Sequence, residues 1–173
     1  MQNVILGLLL LAPMSLYDVH RAFTQGISLF YSASFGSIQR ALRQLVEAGH
    51  VTAEPEPDSA RGKKLHTITP SGRAAWAAWM REPVTGGDAE TVILARVFCL
   101  GLVDDTADRA AIIATLRRRI ETDLATLRAT ATNLDAQECP AQFTEVFGFQ
   151  RATLDYGLRS HELALDWLDE LAR

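Results

Sequence analysis

The first 50 residues repeat their apolar positions at the three- and four-residue spacing of helices that bury one face. Residues 3–11 are almost all apolar and are followed by Pro13, which cannot continue a helix, so we predict a short buried helix there. The next series begins after Ser15, with Asp18 three residues later as in a capping box, and ends at Gly26. The pattern therefore predicts two consecutive helices in this part of the chain.

A third helix is predicted within "SASFGSIQRALRQLVEAGHV", residues 32–51, with Ser34 as its N-cap and Gly49 as its stop. Its apolar side chains are spaced to form one buried stripe: Ile38, Ala41, Leu42, Leu45 and Val46. The other faces carry hydrogen-bonding side chains: Ser37, Gln39, Arg40, Arg43 and Gln44. Glu47 is the one acidic residue of this helix, which therefore presents a basic and amide-rich face to its surroundings.

The apolar period then changes from helical to alternating. Residues 50–69 alternate apolar and polar positions around a turn that contains Pro55, Pro57 and Gly62, which predicts a two-stranded hairpin with a long tip. A fourth helix follows, with Thr69 as its N-cap and a proline in its first turn.

The segment "EPVTGGD" carries a proline and two glycines, and it is the most convincing linker in the sequence. We therefore predict a domain over residues 1–82, a linker over 83–88 and a helical domain over 89–173.

Three helices are predicted beyond the linker: one over residues 89–102, a long one capped by Thr106, and a last one over about 143–172. The long helix carries a coiled-coil-like seam: Ile113, Leu116, Ile120, Leu124, Leu127, Ala131 and Leu134.

The last helix has two apolar stripes rather than one. The first contains Leu154, Leu158, Leu165 and Leu168, and the second contains Tyr156, Leu163, Trp167 and Leu171. Because a helix that is apolar on two sides needs two partners, we predict a two-fold homodimer formed by these helices. The predicted interface residues are Ile120, Leu124, Leu127, Leu158, Leu163, Leu165, Trp167, Leu168 and Leu171.

The order of the elements predicts a mainly α fold with a small β-hairpin: an N-terminal winged helix-turn-helix plus a C-terminal three-helix dimerisation domain. The side chains at the third helix suit double-stranded DNA, since arginine pairs with phosphate or guanine, and glutamine contacts adenine or backbone oxygens. The predicted contacts there are Ser34, Ser37, Gln39, Arg40, Arg43 and Gln44. Arg61, Lys63 and Lys64 stand at the hairpin tip, where a wing crosses a phosphate track.

The distribution of charge leaves two functions open. The chain carries a formal charge of −4, but residues 1–82 hold eight basic and six acidic residues, whereas residues 83–173 hold nine and fifteen. This asymmetry favours a polyanion as the partner of the first domain alone. Because the first domain has a net charge of only +2, the alternative is a winged-helix protein–protein interaction module without specific DNA binding.

The chemistry of the remaining residues does not indicate an enzyme. Cys99 and Cys139 are isolated, so neither a disulfide framework nor a zinc site is indicated. His161 and Glu162 begin like an HExxH motif, but Leu165 stands where the second histidine would be. We therefore predict no catalytic residue, no cofactor and no metal.

The apolar run near the N-terminus is too short to span a bilayer, and neither a basic segment nor a small-residue cleavage site flanks it. We expect a buried first helix in a cytoplasmic protein that has no membrane partner.

Several stretches of the sequence resemble motifs of the PadR-like transcriptional regulators, and they occur in the same order as in that family. "VILGLLLLAPMSLYDVHRAF", "SFGSIQRALRQLVEAGHV" and "RGKKLHTITPSGRAAWAAWM" are similar to successive motifs of that family, and the most specific piece is the G-S-I-x-x-A-L-x-x-L pattern over residues 36–45. "ILARVFCLGLVD" and "FQRATLDYGLRSHELALDWLDELAR" resemble the helical extension of its longer members. The resemblance implies a homodimeric repressor of transcription that binds a palindromic operator through its wings and third helices.

Two places depart from the family pattern. Gln39 and Arg40 stand where the family usually has a tyrosine and a Pro-like residue, and Leu16 precedes Tyr17 where a glycine is usual. The resemblance implies that Tyr17 contacts the DNA backbone and that Gly36 belongs to the DNA-binding set. Because of these departures, the resemblance does not imply that this chain binds operators of the ATGT type, which relatives tend to bind.

The resemblance also implies that a small aromatic ligand releases DNA in some members. The candidate residues for such an effector pocket are Trp76, Trp79, Phe98, Cys99 and Trp167. Trp76 and Trp79 are three residues apart and share one helix face, so core packing is the alternative for them.

Overall fold

The structure is a computed structural model that describes residues 1–55 and 63–172. The chain divides into two compact units, Met1–Arg109 and Ala110–Arg173. The linker predicted over residues 83–88 stays a prediction, as do the domain limits around it.

Three helices open the first unit: α1 (Gln2–Leu11), α2 (Leu16–Gln25) and α3 (Phe35–Glu47). The predicted starts of α2 and α3 are confirmed. Ser15 forms a complete capping box with Asp18 at the start of α2, and the Ser34 side chain accepts a hydrogen bond from the first turn of α3. A short 3₁₀ helix, Ile27–Leu29, follows α2. These local hydrogen bonds fix where the exposed face of α3 begins.

A three-stranded antiparallel sheet completes the winged fold. The predicted hairpin is confirmed as β2 (Val51–Pro55) and β3 (Lys64–Ile68), but the sheet also contains β1 (Met14–Ser15), in the order β1–β3–β2. The sequence did not indicate β1, because a two-residue strand is too short to show alternation. The predicted turn positions Pro57 and Gly62 lie outside the described residues.

Helix α4 (Pro70–Arg81) begins as predicted, with the Thr69 side chain as its cap. It packs closely on the end of the hairpin, since a Cβ at Gly72 would lie 2.2 Å from the His50 carbonyl oxygen. The core of this unit is apolar throughout α1, α2 and α3. Its fully buried side chains include Ile5, Leu6, Val19, Phe23, Ile38 and Leu45.

The remaining helices are α5 (Ala89–Cys99), α6 (Thr106–Asp135) and α7 (Thr144–Leu171), and 3₁₀ turns follow α5 and precede α7. Thr106 was predicted to cap α6, but Asp105 does so: its carboxylate accepts the backbone N–H groups of Ala107 and Asp108. A carboxylate satisfies two of the unpaired N–H groups at a helix start, and it also suits the positive end of the helix dipole.

In the second unit, α6 and α7 run antiparallel. Arg128 pairs with Glu162 at 2.9 Å, and Arg151 pairs with Asp135 at 2.8 Å. The predicted seam of α6 is buried at Ile113, Leu116, Ile120, Leu124 and Ala131, and it is half-buried at Leu127 and Leu134. Within the described parts of the chain, no helix is both long and apolar enough to cross a bilayer.

Candidate nucleic-acid interface

The start of α3 is organised by two serines. The Ser34 Oγ accepts the backbone N–H of Ser37 at 3.2 Å, and the Ser37 Oγ donates to the Ser34 carbonyl oxygen at 2.7 Å. Further free N–H groups of the first turn face outward with the positive end of the helix dipole. This combination suits an anion such as a phosphate.

An open groove of about 650 Å³ lies between α3 and the strands, and we call it the wing-side groove. Its lining is partly apolar, with Leu16, Phe35, Leu42, Val46 and Ala53, and partly polar and basic, with Tyr17, Gln39, Arg40, Arg43, Lys63, Lys64 and His66. The structure therefore brings most of the predicted DNA-binding residues to one concave surface. Arg61 lies outside the described residues.

Charged groups at the wing side are held by weak and exchangeable pairs. The Lys63 ammonium lies 3.7 Å from the Asp18 carboxylate, and Arg43 lies 3.7 Å from Glu47 on an exposed turn of α3. The hydrogen bond from Ser15 lowers the pKa of Asp18 below its ordinary value, assisted by Lys63. Exposed pairs of this kind contribute at most about 1 kcal/mol, so a phosphate can replace the carboxylate partner.

His66 lies on β3 at the edge of the wing-side groove. Its Nδ1 is 3.2 Å from the Met14 carbonyl oxygen, which belongs to the neighbouring strand β1. Partial burial lowers the pKa of His66 below its ordinary value of 6.5, and the nearby Lys64 acts in the same direction. The imidazole is therefore held in its neutral form more firmly than an exposed histidine would be.

A second groove, of about 440 Å³, lies on the other side of α3, and we call it the α1-side groove. It is lined by Met1, Gln2, Asn3, Ser37, Arg40, Ala41 and Gln44. Arg40 contributes to both grooves and therefore stands on the ridge between them. The exposed face of α3 thus has a concave surface on each side.

Gly36, in the first turn of α3, faces open space. Apart from its chain neighbours and the backbone of its own helix, no atom of the described residues lies within 4 Å of a Cβ built at this position, and the backbone needs no positive φ there. The described part of the fold therefore does not require a glycine at residue 36.

The residues predicted for an effector pocket are only partly brought together. Trp76 and Cys99 are buried side by side against Gly7, where an added Cβ would lie 2.8 Å from the Cys99 Sγ. Burial raises the pKa of the Cys99 thiol to about 11. Trp79 instead stacks under the Arg96 guanidinium at 5.2 Å, and Phe98 is half-exposed against Phe30. Trp167 lies in the second unit.

The predicted dimer residues differ in exposure. Ile120, Leu124 and Leu168 are buried within a single chain, whereas Leu127, Leu158, Leu165 and Trp167 are half-buried and Leu163 and Leu171 are exposed. The exposed set extends beyond the prediction, because Phe149 and Tyr156 are also largely exposed along α7. Phe149, Tyr156 and Leu163 are spaced by seven residues, so they form one line along the helix.

Sequence reasoning missed Gln2, Asn3 and His66, which line the grooves beside α3. No local pattern could have indicated them, because each reaches α3 only through tertiary packing. Strand β1, which holds His66 through the Met14 carbonyl, was missed for the same reason. Among the residues that the structure describes, no group of three or more His, Cys, Asp or Glu side chains could hold a metal ion.

Residues 92–173 match the family described as "Virulence activator alpha C-term". The chain is 31% identical over 170 residues to the "Probable transcriptional regulator Rv1176c" of Mycobacterium tuberculosis, and the match covers 90% of this chain and 87% of that protein. Among solved structures it is similar to Bacillus subtilis PadR in complex with operator DNA, with 20% identity, a TM-score of 0.44, and coverage of 99% of this chain and 97% of that chain.

The chain is also similar to the PadR-like transcriptional regulator BC1756 from Bacillus cereus. The identity is 25% and the TM-score is 0.42, over 99% of this chain and 94% of that chain. Through its similarity to the mycobacterial regulator and the motifs along its sequence, the chain belongs to the PadR-like family of transcriptional regulators.

Proposed function

We propose that this protein is a DNA-binding repressor that binds a palindromic operator as a homodimer. The observation that carries the proposal is the basic face of α3 with a groove on each side. A helix in the major groove lies between two sugar-phosphate strands, about 12 Å apart in B-DNA. Each DNA strand would lie along one of the two grooves beside α3, and Arg40 on the ridge between the grooves would face the base edges.

The side chains of each region would have distinct roles. Arg40 and Arg43 suit guanine or phosphate, whereas Ser34 and Ser37 suit a phosphate at the start of α3. The DNA backbone would be contacted from the wing by Lys63 and Lys64, and also by Arg61, which lies outside the described residues. Tyr17 would contact the DNA backbone from α2. Gln39 lines the wing-side groove and Gln44 the α1-side groove, so the two amides would serve different strands.

A homodimer would use the line of exposed apolar residues on α7. The exposed fractions of Phe149, Tyr156 and Leu163 are 72%, 75% and 70%. A line of large exposed apolar side chains on a helix is unfavourable in water and is suited to a second, identical helix across a two-fold axis. Two copies would present two α3 helices to major grooves about one helical turn, ~34 Å, apart.

The experiment that tests the proposal is selection of fragments of the source genome by the purified protein at near-physiological salt. We expect enrichment of one inverted repeat with half-sites about one helical turn apart. Arg40→Ala should weaken binding to that repeat by about 1–3 kcal/mol, because a base-reading arginine contributes that much. Arg118→Ala, an exposed arginine on α6, is the matched control and should bind as the wild type does.

Unselective recovery by the wild-type protein would contradict the proposal, and equal binding by Arg40→Ala would remove α3 from recognition. The alternative, a module that binds another protein, predicts no steep dependence of DNA association on salt. A DNA-binding protein releases counterions on binding, so the logarithm of its binding constant must fall linearly with the logarithm of the salt concentration.

A response to a small aromatic acid is a second part of the proposal. Arg96 is 2% exposed, its Nε has no hydrogen-bond partner among the described residues, and its guanidinium stacks on Trp79. A buried, incompletely paired guanidinium beside an indole suits an aromatic carboxylate. We expect benzoate-type acids to raise the melting temperature of the wild type, and Trp79→Ala to lose that rise. No shift with any aromatic acid would remove this part of the proposal.

A further inference from the structure

We propose that Gln2 sets the hydrogen-bonding polarity of Gln44, and thereby determines what Gln44 contacts in DNA. The Gln2 Nε2 donates to the Gln44 Oε1 at 2.9 Å, across 42 positions of sequence. Both side chains are exposed in the α1-side groove beside Arg40. The inference rests on the proposed function, in which α3 enters the major groove.

The position of Gln2 is fixed by its surroundings. It is the first residue of α1, whose residues Val4, Ile5 and Leu6 are buried in the core of the first unit. The Met1 ammonium donates to the Tyr31 hydroxyl at 3.0 Å, which holds the chain just before the helix. Because this backbone is already held, the contact with Gln44 costs only the rotamer entropy of the two side chains.

The pair has one donor and one acceptor. The Gln2 Nε2 donates and the Gln44 Oε1 accepts, and no side chain caps the start of α1. A glutamine has one acceptor oxygen and one nitrogen with two donor hydrogens. When Gln44 accepts from Gln2, one of the two lone pairs of its oxygen is engaged, while its nitrogen keeps both donor hydrogens for the groove.

This orientation changes the expected target of Gln44. Recognition of adenine by glutamine needs the oxygen and the nitrogen side by side, with the oxygen accepting from adenine N6 and the nitrogen donating to N7. A Gln44 whose oxygen already accepts one hydrogen bond offers its nitrogen more readily than its oxygen, which suits an acceptor, namely a phosphate oxygen, thymine O4, or guanine O6 and N7. Of the two outcomes open for glutamine at this helix, the geometry points to the donor.

The test is a double-mutant cycle of Gln2→Ala and Gln44→Ala with the operator selected by the wild-type protein. We expect Gln2→Ala to weaken operator binding roughly three- to tenfold, the value of one oriented hydrogen bond, when Gln44 is present. In the Gln44→Ala background the same change should alter affinity less than about twofold, because the interaction is then absent.

The base preference of the protein distinguishes a role of Gln2 in recognition from a merely structural role, because a structural role would leave the preference unchanged. Gln2→Glu offers only acceptors, so Gln44 must turn its nitrogen toward residue 2 and expose its oxygen to DNA. We expect repeated selection with this variant to change the preferred base at one position of each half-site, or to remove a phosphate contact detected by ethylation interference. Unfolding curves and the dimer mass should be unchanged, since both side chains are exposed.

The outcomes separate the inference from the function on which it rests. Equal losses for Gln2→Ala in both backgrounds would overturn the inference and leave operator binding intact. An unchanged preference in Gln2→Glu together with additive energies would do the same. A wild-type protein that selects no operator would contradict the proposed function itself, and Gln44→Ala with full affinity would remove Gln44, and hence this inference, from the interface.

Discussion

Substitution of Gly36 by alanine separates the needs of the fold from those of DNA binding. Gly36 lies in the first turn of α3, and a Cβ there would meet no side chain or neighbouring element of the described residues within 4 Å. Its backbone requires no positive φ, so alanine adopts it without strain. Because no neighbouring element in the described part of the chain meets the added methyl group, its effect on affinity reports a contact with DNA.

The substitution is expected to raise the stability of the fold and to lower the affinity for DNA. Alanine is favoured over glycine in a helix by up to about 1 kcal/mol, so the free energy of unfolding should rise, and the melting temperature should rise by at most about 2–4 °C. The methyl group would stand between the start of α3 and a phosphate. Loss of one hydrogen bond to a charged group costs about 1.5–3 kcal/mol, which corresponds to a Kd roughly 10- to 100-fold higher.

The assay is fluorescence anisotropy with a labelled operator at fixed salt, alongside thermal unfolding of the same preparations. Gly148→Ala is the matched control, because Gly148 lies in α7 and an added Cβ there also meets nothing within 4 Å. The control should gain stability and keep its affinity. If Gly36→Ala bound the operator as tightly as the wild type, the assignment of a close phosphate approach to this turn would be refuted.

Three further outcomes are expected. Gly72→Ala should lower the free energy of unfolding by about 2 kcal/mol or more in chemical denaturation, because its Cβ would lie 2.2 Å from the His50 carbonyl oxygen and the backbone must shift; wild-type stability would contradict the close packing of α4 on the hairpin. Lys64→Ala should weaken binding to all sequences and reduce the salt slope by about one unit, and an unaltered slope would exclude a phosphate contact by Lys64. Because burial lowers the pKa of His66, the unfolded chain binds the proton more readily, so stability should fall as pH drops below 6.5. In His66→Gln the free energy of unfolding should fall less steeply with decreasing pH over this range. Identical pH profiles of the two proteins would contradict the lowered pKa of His66.

The sequence by itself determined the features that depend on neighbouring residues. The helix starts at Ser15, Ser34 and Thr69 follow from side chains that cap backbone groups within three residues. The chemistry of the exposed face of α3 follows from its residue types and their spacing. Residue Thr106 shows the limit of this reasoning, because Asp105 next to it offers a better acceptor and takes the capping position.

Only the tertiary structure decided which distant residues meet. Met14 pairs with His66 across 52 positions, and Gln2 meets Gln44 across 42, so neither contact leaves a local pattern. The two stripes of α7 are equally apolar in sequence, yet one chain buries Leu168 and leaves Leu163 exposed. Local patterns report hydrogen bonds and periodicity within one element, whereas the partner of each face depends on how the elements pack, which short segments do not specify.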